Sequence, residues 1–162
     1  MKQIPMSRPG PADYDLLRLE NQLCFAFYAA TRAMTKTYRE CLEPMGLTYP
    51  QYLVLLVLWE EDALTISGIG NRLMLDSGTL TPLIKRLESM GLVKRQRGKE
   101  DEREVIVRLS KDGFELRDMA LDARKYVASR LDMTEKEIMD LRSQIMAMIG
   151  RLGAEYAVEA AE

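Results

Sequence analysis

The chain has 162 residues, of which 47% are apolar, and its formal net charge at pH 7 is -2. This length fits one domain, with or without dimerisation arms, and the near-neutral charge argues against indiscriminate binding of polyanions. The chain lacks histidine, which excludes Ser-His-Asp and Cys-His catalytic pairs and histidine-containing zinc sites. Two cysteines are too few for a four-thiolate metal site or a secreted disulfide framework, so we expect a cytoplasmic protein without cofactor, metal or membrane span.

An arm and a long helix are predicted at the start of the chain. Residues 1–12 contain Pro5, Pro9 and Pro11 and no periodic apolar pattern, which predicts a mobile arm. Residues 14–42 contain no proline or glycine, and their apolar positions recur at steps of three and four. This spacing predicts one continuous helix.

The predicted helix contains both cysteines, Cys24 and Cys41, with Tyr28 and Tyr38 between them. Cys24 and Tyr38 are fourteen residues apart, which is about 21 Å on one helix and far beyond hydrogen-bond reach. A contact between them therefore requires a second chain or a broken helix, and a two-fold dimer would supply the second chain. The alternative is that Cys24 is a small buried apolar residue, which is a common role for a free cysteine.

Capping signals and apolar spacing predict three helices in the centre of the chain. Thr48 opens a buried helix over residues 49–61, and Thr65 caps a short helix that ends near Leu73. Asp76 or Ser77 caps a third helix, which Gly91 ends. The buried face of the third helix is predicted at Leu80, Leu83, Ile84 and Leu87. Its polar face carries Ser77, Thr79, Thr81, Lys85 and Arg86.

Two short strands, at residues 92–97 and 104–109, show a period of two and flank a charged loop, which predicts a β-hairpin. Ser110 then caps a long helix to about residue 131, and a capping box at Thr134 opens a last helix. The last helix has a narrow apolar seam of the kind that packs against another helix, possibly across a dimer. The seam consists of Ile138, Leu141, Ile145, Met148 and Leu152.

This order of a short helix, a turn, a polar-faced helix and a hairpin is typical of a winged helix-turn-helix, in which the second helix enters the major groove of DNA. Residues 76–108 contain eight basic and six acidic residues, a net charge of +2 on this segment. We therefore predict a mainly α fold with a β-hairpin wing and N- and C-terminal dimerisation helices. The predicted domains are an arm (1–12), a dimerisation region (13–47 and 111–162) and a DNA-binding domain (48–110). The alternative is a solvated amphipathic helix beside a surface hairpin.

The chain after the arm resembles the MarR family of bacterial repressors. The sequence DEREV at 101–105, followed by LS at 109–110, is similar to the wing signature of this family, which implies that Arg103 enters the minor groove and Asp101 supports it. LENQLCFA at 19–26, LTYPQ at 47–51 and LDSGTLTPL at 75–83 are similar to the organic hydroperoxide repressors of the family, called OhrR. The expected DNA-binding residues are Ser77, Thr79, Thr81, Lys85, Arg86, Arg97, Asp101 and Arg103.

The resemblance implies a homodimer that binds a palindrome-like double-stranded operator and releases it when an organic hydroperoxide oxidises Cys24. In that subfamily two tyrosines of the partner subunit bond to the reactive cysteine, and these match Tyr38 and Tyr49. Tyr28 is expected to form a pocket wall. Two-cysteine members carry a resolving cysteine late in the helix after the wing, where residues 125–132 have none. The chain therefore resembles the one-cysteine type, in which a low-molecular-weight thiol or a backbone nitrogen traps the oxidised sulfur.

Two points stay open at this stage. Cys41 is expected to be structural, with an intersubunit role as the alternative. A rival function keeps the fold but makes the protein a repressor released by a phenolic or drug-like ligand, with Cys24 structural. A thiol peroxidase is disfavoured by the missing resolving cysteine, so we do not expect an enzyme.

Overall fold

The structure is a computed structural model of a single chain, which describes residues 10–98 and 104–152. The chain divides into two compact units, Met1–Thr37 and Tyr38–Glu162. Each unit is described by itself. The predicted domain boundaries remain predictions.

The first unit does not form the single helix predicted over residues 14–42. Two 3₁₀ helices, Pro11–Leu17 and Leu19–Asn21, precede the first α-helix, α1, which spans Leu23–Leu42. The helix is interrupted because the Gln22 amide donates to the backbone carbonyls of Leu16 and Arg18, and polar side chains that bond to nearby backbone compete with helix formation. Of the predicted arm, residues 1–9 lie outside the described residues, while Pro11 and Ala12 belong to the first 3₁₀ helix.

The core of the second unit is built from three helices, α2 (Tyr49–Glu60), α3 (Ile66–Leu73) and α4 (Ser77–Ser89). As predicted, the Gln51 side chain accepts from the Thr48 N–H (2.9 Å), and Thr65 and Asp76 cap α3 and α4. Gly91 has φ +76°, so it ends the helix region in the left-handed conformation that glycine tolerates best. Fully buried side chains from these helices form the centre of the core: Val54, Leu55, Ile69, Leu80, Ile84 and Leu87.

The wing is part of a three-stranded antiparallel sheet with the order β1-β3-β2. The strands are β1 (Leu64–Thr65), β2 (Val93–Arg97) and β3 (Val105–Leu109). The hairpin prediction is confirmed, with Val93 opposite Leu109 and Arg97 opposite Val105. The strand β1 was not predicted, because two residues are too few to show a period. The loop at residues 99–103 lies outside the described residues.

The helix predicted from Ser110 to about residue 131 is two helices, α5 (Lys111–Glu115) and α6 (Arg117–Leu131). The Trp59 indole N–H donates to the Gly113 carbonyl (2.9 Å), which a continuous helix would bond to the N–H of residue 117. A long-range contact thus replaces a local one at the break. The last helix, α7 (Glu135–Arg151), begins with the predicted capping box between Thr134 and Glu137.

Among the described residues, the apolar seam of α7 is at most partly covered, because no residue of α7 is buried and Leu141 is 47% exposed. In the part of the chain that the structure describes, no single helix is long and apolar enough to span a membrane. One bent pair of helices in the described residues, Leu23–Met45 and Tyr49–Glu60, is long and apolar enough when the two are taken together.

A Gly113→Ala substitution tests the close packing of α5 against the sheet. A Cβ at this position would lie 2.0 Å from the Leu92 carbonyl oxygen, so the backbone must move. We expect the free energy of unfolding in urea to fall by roughly 1–3 kcal/mol at a fixed protein concentration. The matched control is Gly150→Ala on α7, whose Cβ meets nothing within 4 Å. Equal stability of the two variants would contradict this packing.

Candidate functional site

Cys24 lies in the first turn of α1, because the helix starts at Leu23 and not at residue 14. Its side chain is exposed in the single chain. The first N–H groups of a helix have no intrahelical acceptor, and they carry partial positive charge that stabilises a nearby anion. The sequence prediction of a longer helix had missed this position of Cys24 at a helix start.

Tyr28, one helical turn after Cys24, is paired with Arg32. The Arg32 guanidinium donates to the Tyr28 hydroxyl (3.1 Å) and lies 5.5 Å from the centre of its ring. Arg32 was not among the predicted site residues, although its i+4 spacing from Tyr28 is the signal for such a pair. The predicted role of Tyr28 as a pocket wall stays a prediction.

Three tyrosines meet where the end of α1 approaches α2, and we call them the tyrosine cluster: Tyr38, Tyr49 and Tyr52. The ring centre of Tyr38 lies 5.1 Å from that of Tyr49 and 5.4 Å from that of Tyr52. The two tyrosines predicted from the family resemblance are therefore neighbours. Tyr52 is a third member that the sequence analysis missed, because it stands in an otherwise apolar run, although its i+3 spacing from Tyr49 places the two on one face of a helix.

Burial raises the pKa of all three phenols above their ordinary value. The increase is largest for Tyr52, which is 2% exposed, and the neighbouring Tyr38 adds to it through its charge and a hydrogen bond. For Tyr38, the hydrogen bond with Tyr52 and the positive charge of Arg124 act against burial and lower the pKa. The three groups are thus neutral at physiological pH, and each keeps an O–H that can be donated.

A cavity of about 920 Å³ opens beside the tyrosine cluster. Arg124 from α6 lines this cavity, and its guanidinium forms two hydrogen bonds with Glu135, of 2.5 and 2.6 Å. The same cavity is lined by Trp59 and Phe114 and by charged residues of both signs, which are Glu60, Glu115, Arg117, Asp118 and Arg142. Cys41 lies nearby on α1 and is partly buried, and burial, followed by the charge of Glu40, raises its pKa.

The helices α3 and α4 form a helix-turn-helix, whose second helix exposes several of the predicted DNA-binding residues. Asp76 accepts from both the N–H and the hydroxyl of Thr79 (2.8 and 2.9 Å), and these bonds lower its pKa. The Thr81 hydroxyl donates to the Ser77 carbonyl (2.6 Å). The hydroxyl protons of Thr79 and Thr81 are therefore engaged within the helix, which leaves their oxygens and methyl groups for an external partner.

The basic residues of this region differ in their surroundings. Lys85, Arg86 and Arg97 have exposed side chains. Arg95 instead bonds to Glu88, with nitrogen to oxygen distances of 2.6 and 2.7 Å, and thereby ties β2 to α4. The predicted residues Asp101 and Arg103 lie outside the described residues.

Comparison with protein families and relatives gives a consistent result. The family described as "Transcriptional regulator SarA/Rot" matches residues 36–119. The organic hydroperoxide resistance transcriptional regulator of Bacillus subtilis is 43% identical over 139 residues, which cover 86% of this chain and 95% of that protein. The regulator TtmR of Methylorubrum extorquens is 56% identical over 108 residues, but these cover 67% of this chain and only 54% of that protein.

Among solved structures, the chain is similar to AbfR of Staphylococcus epidermidis. Reduced AbfR bound to DNA has a TM-score of 0.73 at 37% identity, covering 87% of this chain and 98% of that chain. The disulfide form of AbfR has a TM-score of 0.61 at 37% identity, covering 85% and 97%.

Proposed function

Because this chain belongs to the MarR/SarA family of winged-helix transcriptional regulators, we propose that it is an operator-binding repressor that organic hydroperoxides inactivate by oxidising Cys24. The observation that carries the proposal is the combination of an exposed Cys24 in the first turn of α1 with a partly buried, neutral pair of phenols at Tyr38 and Tyr49. The similarity to a regulator named for organic hydroperoxide resistance supports the inducer class.

Operator binding is assigned to α4 and the wing of a homodimer. One α4 helix from each subunit would enter successive major grooves, and the two-fold symmetry of the dimer would match a palindrome-like operator. The similarity to DNA-bound AbfR supports this mode. The bond between Glu88 and Arg95 would fix the wing relative to α4, so both reach the duplex in one orientation. Arg103, supported by Asp101, is assigned to the minor groove from its place in the wing signature.

The dimer also supplies the contact that one chain lacks. Cys24 and Tyr38 lie fourteen residues apart on α1, about 21 Å along the helix, so the tyrosines that bond to Cys24 come from the partner. The exposed apolar residues of the first unit and of α7 provide surface for such a dimer, among them Leu16, Leu19, Leu23, Met139 and Leu141.

The chemical step oxidises the sulfur and reduces the peroxide. The Cys24 thiolate attacks the terminal oxygen of the hydroperoxide, an S–O bond forms, and the O–O bond breaks. The alkoxide that leaves takes up a proton and becomes the alcohol, while Cys24 becomes a sulfenic acid. A low-molecular-weight thiol then condenses with the sulfenic acid to a mixed disulfide and water. Cys41 lies about 25 Å along α1 from Cys24, so it does not trap the sulfenic acid of its own chain.

Oxidation is coupled to DNA release through α2. Tyr49 is the first residue of α2, and α2 packs against both α3 and α4. A sulfenic acid no longer accepts hydrogen bonds as a thiolate does, so the phenols lose their anionic partner. A shift of the tyrosines would therefore reach the DNA-reading helix through a single intervening helix.

The cavity beside the tyrosine cluster favours a second candidate function, a repressor released by a phenolic or drug-like small ligand. Its lining of aromatic rings and charged groups of both signs suits a ligand with an aromatic ring and polar substituents. In that case Cys24 would be dispensable for the response.

A Cys24→Ser variant distinguishes the two functions. We expect it to bind operator like the wild type in a gel shift, and to stay bound in cumene hydroperoxide, which releases the wild type, because serine does not form a sulfenic acid. The matched control, Cys41→Ser, should be released like the wild type. Release of Cys24→Ser by the peroxide would rule out the proposed sensor.

An Arg86→Ala variant tests the DNA-binding face. Arg86 is exposed in the last turn of α4, where we assign it to a phosphate, so its loss should weaken operator binding at least fivefold and reduce the salt dependence of binding. The measurement is operator affinity by fluorescence anisotropy at several salt concentrations. Arg130→Ala, in the last turn of α6, is the charge-matched control and should leave both quantities unchanged. The same affinity for both variants would remove Arg86 from the interface.

A further inference from the structure

Tyr52 is the most buried member of the tyrosine cluster, and neighbouring rings enclose it. Its ring centre lies 5.4 Å from that of Tyr38, 6.2 Å from that of Tyr49 and 6.3 Å from that of Trp59. A ring held by three aromatic neighbours has little freedom to turn. The position of the Tyr52 hydroxyl is therefore set by packing, and it lies close to the Tyr38 side chain at the cavity that both residues line.

In the arrangement that we assign to this pair, the Tyr52 hydroxyl donates to the Tyr38 oxygen, which leaves the Tyr38 proton available. The contact between the two side chains lowers the pKa of Tyr38 and raises that of Tyr52, which agrees with this assignment. A hydroxyl that accepts one bond still has its own proton for a second acceptor. Chains of hydroxyls in one direction also polarise one another, so a donor at Tyr52 strengthens donation by Tyr38.

A fixed cation lies beside the two hydroxyls. Arg124 lines the same cavity as Tyr38 and Tyr52, and its two hydrogen bonds to Glu135 hold its side chain between α6 and the start of α7. Its positive charge acts to lower the pKa of both phenols. Tyr38 is thus flanked by a neutral donor and by a cation from two other helices.

We propose that Tyr52 is a positioning residue, which orients the Tyr38 hydroxyl, beside the Arg124–Glu135 pair, to donate to the thiolate of Cys24 of the partner subunit. The inference rests on the proposed peroxide sensing and adds a residue that acts through Tyr38. Tyr52 does not touch the sulfur. It sets how strongly and in which direction Tyr38 stabilises the attacking thiolate.

The test is a double-mutant cycle with Tyr52→Phe and Tyr38→Phe. Tyr52→Phe keeps the ring and removes only the hydroxyl, so operator binding by the reduced protein should be unchanged. The rate of Cys24 oxidation by cumene hydroperoxide, followed by intact mass, should fall about fivefold, as expected for one lost hydrogen bond. In the Tyr38→Phe background the same substitution should have no further effect. Tyr126→Phe, an exposed tyrosine on α6, is the matched control.

The pH profile of the oxidation rate separates this role from a structural one. Loss of thiolate stabilisation moves the half-maximal rate to higher pH, whereas simple loosening of the fold does not. The titratable and charged groups around the hydroxyl pair come from five helices, and every variant in the test except Glu135→Gln keeps all of them. They are Cys41, Tyr49, Glu60, Glu115, Arg117, Asp118, Arg124, Glu135 and Arg142.

The possible results are decisive in either direction. A wild-type rate and pH profile for Tyr52→Phe, or an equal slowing in both backgrounds, would overturn the inference. If Tyr52→Phe folds poorly, the exposed substitution Glu135→Gln, which loosens Arg124, should show the same Tyr38-dependent slowing, and its absence would overturn the inference as well. The sensing proposal itself fails only if Cys24→Ser still responds to peroxide, so the two failures are distinguishable.

Discussion

Tyr52 is 2% exposed, and its ring packs against that of Tyr38, with the ring centres 5.4 Å apart. This contact joins the last part of α1 to the first turn of α2. The helix that carries the cysteine and the helix that supports DNA reading therefore meet at a polar contact within an aromatic cluster. A contact of this kind has a defined geometry, which a purely apolar one would not impose.

The start of α1 is the second constraint. Asn21 and Gln22 use their side-chain amides to bond to backbone carbonyls at Asp15, Leu16 and Arg18, and α1 begins directly after them. Cys24 consequently lies in the first turn of a helix. The tyrosine cluster offers neutral phenol donors. In the proposed function, a dimer brings Cys24 and these phenols together.

Much of the second unit could be predicted from the sequence, because its signals are local. Thr48, Thr65, Asp76 and Thr134 mark helix starts, and the change of period after Gly91 marks the hairpin. The family resemblance, drawn from the blocks around Cys24, Tyr49 and Asp101, is confirmed by the comparisons.

The features that the sequence did not predict depend on contacts that leave no periodic pattern in the sequence. The break between α5 and α6 involves a bond from Trp59, which is 54 residues away from Gly113. The start of α1 depends on side-chain bonds to backbone. Tyr52 stands in a run of apolar residues, which predicts an ordinary core residue. The sequence does not show that its hydroxyl lies close to Tyr38. Arg124 reaches Tyr38 only through the tertiary fold.

The central claim is that Cys24 is served by the tyrosines of the other subunit, and heterodimers with differently tagged subunits test it directly. In one heterodimer, one subunit carries Cys24→Ser and the other carries Tyr38→Phe. In the second, one subunit carries both substitutions and the other neither. Each heterodimer thus keeps one Cys24 and one Tyr38. If the site is shared, the first should oxidise Cys24 in cumene hydroperoxide at the wild-type rate and the second several-fold more slowly. The opposite order would contradict a site formed between subunits.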